Sequence, residues 1–165
     1  MRHILCCSLW GLLVLGGCAA RVEGVKAHAP TSEANGPKGI VFTAPDGFEE
    51  RPQNHMYYHS RLRASISPAY QPGADFDKVA AEFTDENLRT GGVALKEMRT
   101  EDIKGRRTLL VKGNRIKSKY PQISVTVLFP TSSACAQLTA IYPADLPSEM
   151  QQRIDSAMLN ARYNE

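Results

Sequence analysis

Between residues 123 and 129 the side chains alternate, with Ile123, Val125, Val127 and Phe129 on one parity and Ser124, Thr126 and Leu128 on the other. Period two belongs to a strand, whose successive side chains point to opposite faces. The same reading gives a weaker strand over Val93 to Glu101, a short one over Arg107 to Lys112 and a last one over Ala134 to Tyr142. Four such strands joined by short connections predict an antiparallel meander. Upstream, Ile40 to Thr43 is a short β-like run closed by a turn at Pro45-Asp46-Gly47, with Phe48 tucked beneath it. Tyr57 to Ile66 alternates cleanly enough to predict one half-buried strand. Its dry face would carry Tyr58, Ser60, Leu62, Ala64 and Ile66, and its wet face Tyr57, His59, Arg61, Arg63 and Ser65.

Two segments carry the helical period instead. Pro68 and Pro72-Gly73 break the strand pattern, Asp75 is placed as an N-cap, and Phe76, Val79, Ala80 and Phe83 then recur at i, i+3, i+4 and i+7. The glycine pair Gly91-Gly92 ends that helix. Near the C-terminus Leu146-Pro147-Ser148 opens a second helix, with proline tolerated in the first turn. Its stripe of Leu146, Met150, Ile154, Ala157, Met158 and Ala161 should cap the sheet, with Glu149, Gln152, Arg153 and Asp155 turned away. The expected fold class is α+β, an antiparallel sheet covered by helices.

The first residues have another character. Met1-Arg2-His3 is basic, Ile4 to Leu15 carries no charge, and Leu15-Gly16-Gly17-Cys18 follows. The apolar run is a signal-peptide core, too short for a helix that crosses a bilayer, which needs about 20 apolar residues. Leu, two small residues and Cys resembles the bacterial lipobox, in which the thiol is acylated and the chain is cut just before it. The resemblance implies a signal peptide over 1–17 and a palmitate-type anchor on Cys18, where two or three acyl chains make attachment stable. The alternative is ordinary secretory cleavage after Gly17 or Ala20. Ala19 in place of Asp points to the outer membrane, on its periplasmic face, over the inner membrane. Residues 18–38, small and polar with Ala-Pro-Thr-Ser-Glu and Asn-Gly-Pro, read as the lipidated cysteine and a flexible tether. Residues 39–165 read as one domain.

The element order from Gly39 to Tyr163 includes an aromatic after the first turn at Asp46-Gly47-Phe48, a helix near Phe76, a meander and a closing amphipathic helix. It resembles the PsbP/DcrB-like families. That resemblance implies an α/β/α sandwich, supplies no shared catalytic residues, and belongs to proteins many of which are lipoproteins with accessory or unknown roles.

Formal net charge over the 165 residues is only +3, so the distribution matters more than the total. From Lys104 to Lys119 the chain holds Lys104, Arg106, Arg107, Lys112, Arg115, Lys117 and Lys119 without one acid. On a hairpin several of these would share a face, joined by Arg61 and Arg63 from a neighbouring strand. Such a patch would attract anions: lipid phosphates, lipopolysaccharide or an acidic envelope protein. The plainer alternative is a solvated hairpin whose charges protect an edge strand. Nucleic acid is a poor partner for a chain outside the cytoplasm.

Candidate chemistry is sparse. His55 and His59, four apart on a strand, would lie about 13 Å from each other and could not share a metal. Cys135, flanked by Ala134 and Ala136, reads as a core residue, and a Cys135 nucleophile with His59 as base is the alternative. With no hydrolase, zinc or phosphate-loop motif, no cofactor is expected. The expected function is that of a non-catalytic accessory or binding module of the cell envelope, against the alternative of a small envelope enzyme using Cys135 or a site that no motif marks.

Overall fold

The computed structural model describes residues 39–164. The signal segment, Cys18 and the tether lie outside the described residues. A seven-stranded antiparallel sheet organises the rest, in the order β2-β3-β4-β8-β7-β6-β5. Its strands are β2 (Glu49–Arg51), β3 (Met56–His59), β4 (Ala64–Pro72), β5 (Val93–Ile103), β6 (Arg106–Arg115), β7 (Gln122–Pro130) and β8 (Ala134–Pro143). Helices α1 (Phe76–Ala81) and α2 (Asp85–Thr90) cover one face. Helix α3 (Ser148–Leu159) covers the other, beside a small ribbon of β1 (Ile40–Val41) and β9 (Arg162–Tyr163). The expected α+β sandwich and the meander β5-β6-β7-β8 are both present.

Two cores follow from the pleat. On the α3 side Ile66, Val125, Val127, Phe129, Leu138 and Tyr142 meet Ile154 and Met158. On the other side Leu109, Val111, Leu128 and Cys135 meet Phe76 and Val79. Strands β6 and β7 carry apolar residues on both parities because both faces are covered; this is why Leu128 interrupts an otherwise strict alternation. The α3 stripe lands as expected at Leu146, Ile154, Met158 and Ala161, all buried. A fully buried Ile or Met contributes about 1.5–3 kcal/mol.

The structure corrects the sequence reading at four places. The run from Tyr57 to Ile66 is two strands, β3 and β4, folded back at residues 60–63, with Arg63 in the left-handed region at φ 49°. The reversal puts Tyr57 opposite Ile66, so Tyr57 packs towards the core against Phe42 while Tyr58 takes Arg51 over its ring. Pro68 does not end β4, which runs on to Pro72. Strand β3 pairs no further than Ile66, so the missing N–H of Pro68 costs no ladder bond to it. The single helix expected to run from Asp75 to Gly91 is two. Asp75 caps the first by accepting from Lys78 N at 3.0 Å, and Thr84 caps the second by accepting from Asn87 N at 3.2 Å. Asp155, expected to face solvent, turns inward to Lys112.

Candidate functional site

Strand β6 sets the fate of the basic segment. Its ten residues run about 30 Å, from Arg106 at one end of the sheet to Arg115 at the other, with side chains alternating between faces. The basic residues therefore divide between two faces and two ends of the sheet. Arg106 and Lys112 lie on the α3 side, whereas Arg107 pairs with Asp77 of α1 at 2.6 Å and covers the Phe76 ring. Lys112 is only 21% exposed in its side chain and faces Asp155.

Two cations are spent on helix ends. Arg106 donates from Nη1 to Ala161 O at 2.6 Å and from Nη2 to Leu159 O at 3.3 Å, where α3 leaves carbonyls without partners. Lys117 donates to Thr90 O at 2.8 Å and so closes α2, its stem lying over Gly92. A cation at a helix C-terminus meets the negative end of the macrodipole.

Of the others, Arg115 and Lys119 gather at the end of the sheet formed by the β3–β4 turn and the β6–β7 loop. Tyr120 there is 57% exposed, with the Arg63 guanidinium 5.7 Å and the Lys119 ammonium 5.5 Å from its ring centroid. Ile116, also exposed, lies in the same loop, and Arg61 sits in the same turn as Arg63. Arg115 ends β6 at this side. The arrangement is amphipathic: an aromatic and an aliphatic side chain in solvent, ringed by cations. The sequence pointed to Arg61 and Arg63 as contributors from another strand; Tyr120 and Ile116 it passed over, because an isolated aromatic in a loop has no period to mark it.

At the opposite end the β5–β6 turn brings Lys104 beside the C-terminal turn of α3, its Nζ donating to Asn160 Oδ1 at 2.8 Å. A groove of about 770 Å³ lies between residues 41–46 and the outer face of α3, and a smaller pocket of about 550 Å³ adjoins it below Arg106.

The histidines and the cysteine take packing roles. His59 accepts from Leu62 N at 3.4 Å and meets the Phe48 ring edge-on at 5.4 Å. His55 closes the short 3-10 turn at Pro52–Asn54 in the left-handed region. Cys135 is fully buried, its Sγ donating to Ala74 O at 3.5 Å. Burial first, and then the Asp75 carboxylate, push its thiol up, away from the reactive thiolate. Cys135 pairs with Gln71 and His59 with Ala64, at opposite ends of β4 and about 23 Å apart along it. The Cys135–His59 arrangement does not form. No group of three metal-binding side chains comes together among the described residues.

No family model and no curated protein matches the sequence. Solved structures do. Cyanobacterial PsbP (CyanoP) from Synechocystis sp. PCC 6803 aligns over 76% of this chain and 87% of its own, at 9% identity and a TM-score of 0.57. The fold is PsbP-like. LpqN, involved in cell envelope biogenesis of Mycobacterium tuberculosis, aligns over 76% of this chain and 83% of its own at 14% identity, with a TM-score of 0.59. PA94 from Pseudomonas aeruginosa, a protein of unknown function and putative regulator, covers 81% of this chain and 88% of its own at 16% identity, with a TM-score of 0.55. At such identities the likeness concerns the path of the chain, and a shared fold does not by itself carry a function.

Proposed function

We propose that this chain is a non-catalytic binding module of the bacterial cell envelope, anchored through Cys18 on the periplasmic face of the outer membrane, whose Tyr120 end docks on an anionic lipid surface. The observation that carries the docking is the exposed Tyr120 between Arg63 and Lys119. An aromatic side chain with a polar tip suits the headgroup layer, and each basic residue near an anionic surface adds about 1 kcal/mol. Supporting the location are the Leu15-Gly16-Gly17-Cys18 pattern and the envelope role of LpqN, which shares the fold.

The domain begins at Gly39, whose carbonyl is held by Asn164 N next to the β1–β9 ribbon, at the end of the sheet away from Tyr120. Residues 18–38, fully extended, span up to about 70 Å, more than twice the length of β6, so the anchor and the Tyr120 end can reach one surface together.

The anchor is tested by metabolic labelling: palmitate should mark the chain, and Cys18→Ser should abolish the mark. For docking, the lipidated chain is reconstituted into phosphatidylcholine vesicles with or without phosphatidylglycerol, and hydrogen exchange is followed over residues 116–121. Protection is expected only with phosphatidylglycerol, and should vanish at about 1 M salt, where the screening length is about 3 Å. The pair Arg63→Glu and Lys119→Glu should also remove it. Equal exchange on both vesicle types, with an acidic envelope protein captured instead, would replace the lipid reading.

A further inference from the structure

The docking reading makes no use of the other end of the sheet. The pocket of about 550 Å³ opens there between the C-terminal turn of α3, the β5–β6 turn and the β7–β8 turn. Among the described residues three cations line it, Lys104, Arg106 and Arg162, and no carboxylate does. Pro130 and Leu159, both partly exposed, give it an apolar wall, and the exposed Ser132 stands at the rim.

Arg106 is the centre of the imbalance. Its guanidinium lies 3.8 Å from the centroid of the Phe129 ring and is half-buried. The two carbonyls it caps carry only partial negative charge, and among the described residues no carboxylate forms an ion pair with it. Its Nε–H is buried without an acceptor. Burial, and then the neighbouring Arg162, both work against its charge. Taking a cation out of water beside a second cation costs free energy that a helix end, worth about half a charge, only partly offsets. Among the described residues the site holds no counter-charge.

Lys104 adds an independent observation. It occupies the first position of a two-residue turn at φ 56°, followed by Gly105 at φ 77°, a conformation that asparagine or glycine adopts at least cost. The chain instead holds a lysine there, with its ammonium fixed at the mouth of the pocket by Asn160.

We propose that this pocket binds a small organic oxyanion, its charged head held by Lys104, Arg106 and Arg162 and its apolar body laid against Pro130 and Leu159. The volume falls in the range of small-molecule sites, about 300–1,000 Å³. Charge-assisted hydrogen bonds from arginine favour a carboxylate or phosphate head, and the apolar wall separates an organic anion from an inorganic one.

Calorimetric titration of the lipidated chain in phosphatidylcholine nanodiscs tests this with three probes: phenyl phosphate, inorganic phosphate and benzyl alcohol. Phenyl phosphate should saturate, inorganic phosphate should bind about tenfold more weakly, and benzyl alcohol should give no saturable heat. Arg162→Gln should weaken phenyl phosphate about tenfold at unchanged Tm. Lys104→Asn, which suits the turn, should weaken it while holding or raising Tm. Arg106 is left intact because it also closes α3. Absence of saturable phenyl phosphate binding, or affinity unchanged in both variants, overturns the proposal. So does equal binding of benzyl alcohol.

Discussion

Lys112 Nζ on β6 lies 3.3 Å from Asp155 Oδ2 on α3, an ion pair set under the helix that closes the larger core, with Tyr142 fully buried beside it. The lysine ammonium is 5.9 Å from the Tyr142 ring centroid. Lys112 Nζ donates to Asp155 Oδ2, while Asp155 Oδ1 and Tyr142 Oη are buried without a hydrogen-bond partner, so the cluster is only partly satisfied. Removing one partner leaves the other charge half-buried. Lys112→Met or Asp155→Asn alone should each cost about 2 kcal/mol, and the double change Lys112→Met with Asp155→Leu should recover most of it, read from urea denaturation midpoints.

The same cluster fixes the direction of the alkaline response. Burial pulls the Lys112 ammonium down, but the Tyr142 hydroxyl and the Asp155 carboxylate outweigh it and leave its pKa above the usual lysine value. Burial and then Asp155 raise the Tyr142 hydroxyl, and Lys112 only partly opposes them. Both groups hold their protons more tightly folded than unfolded. Their contribution is thus complete below about pH 10 and is lost as pH rises through the raised folded values. Thermal melts should fall from about pH 10 upward, and less steeply in Lys112→Met than in the parent. A parallel fall in both chains would remove Lys112 as the cause.

Gly113 is placed where a side chain cannot go. A Cβ built on it would lie 2.5 Å from Ala94 O and 2.5 Å from a Val93 methyl, next to the irregularity in β5 between Leu95 and Glu97. Gly113→Ala must push the edge strand away, at a cost of about 1–3 kcal/mol. Hydrogen exchange at Val93 to Leu95 should rise by more than in the rest of the sheet.

Cys135 should behave as inert packing. Iodoacetamide at mildly alkaline pH should leave the Cys135 peptide unmodified in the folded chain and alkylate it fully in guanidinium, as followed by mass spectrometry. Cys135→Ala should cost about 1 kcal/mol and leave phenyl phosphate binding unchanged. Modification at equal rates in both states would contradict the burial.

Arg107 separates the basic segment into its parts. Its ion pair with Asp77 is exposed, 58% and 69% in the two side chains, and it lies on the α1 face. Arg107→Glu should leave both vesicle docking and phenyl phosphate binding intact and shift the urea midpoint little, as exposed pairs contribute at most about 1 kcal/mol.

Local pattern sufficed for much of this molecule. Alternation at Ile123 to Phe129, the N-cap at Asp75, the turn at Asp46-Gly47 and the α3 stripe are written within a few residues of each other, and period and capping depend on neighbours alone. The sequence also determined that the cations crowd between residues 104 and 119. Only the tertiary structure decided where they point. One reversal at residues 60–63 exchanged the faces of Tyr57 and Tyr58, and Thr84 divided one helical period into two helices. The length and pleat of β6 carried the basic residues to two ends and two faces, and α3 drew Arg106 and Lys112 inward. Charge is additive along a chain, but a binding surface depends on which charges remain in solvent once helix ends and buried carboxylates have claimed theirs.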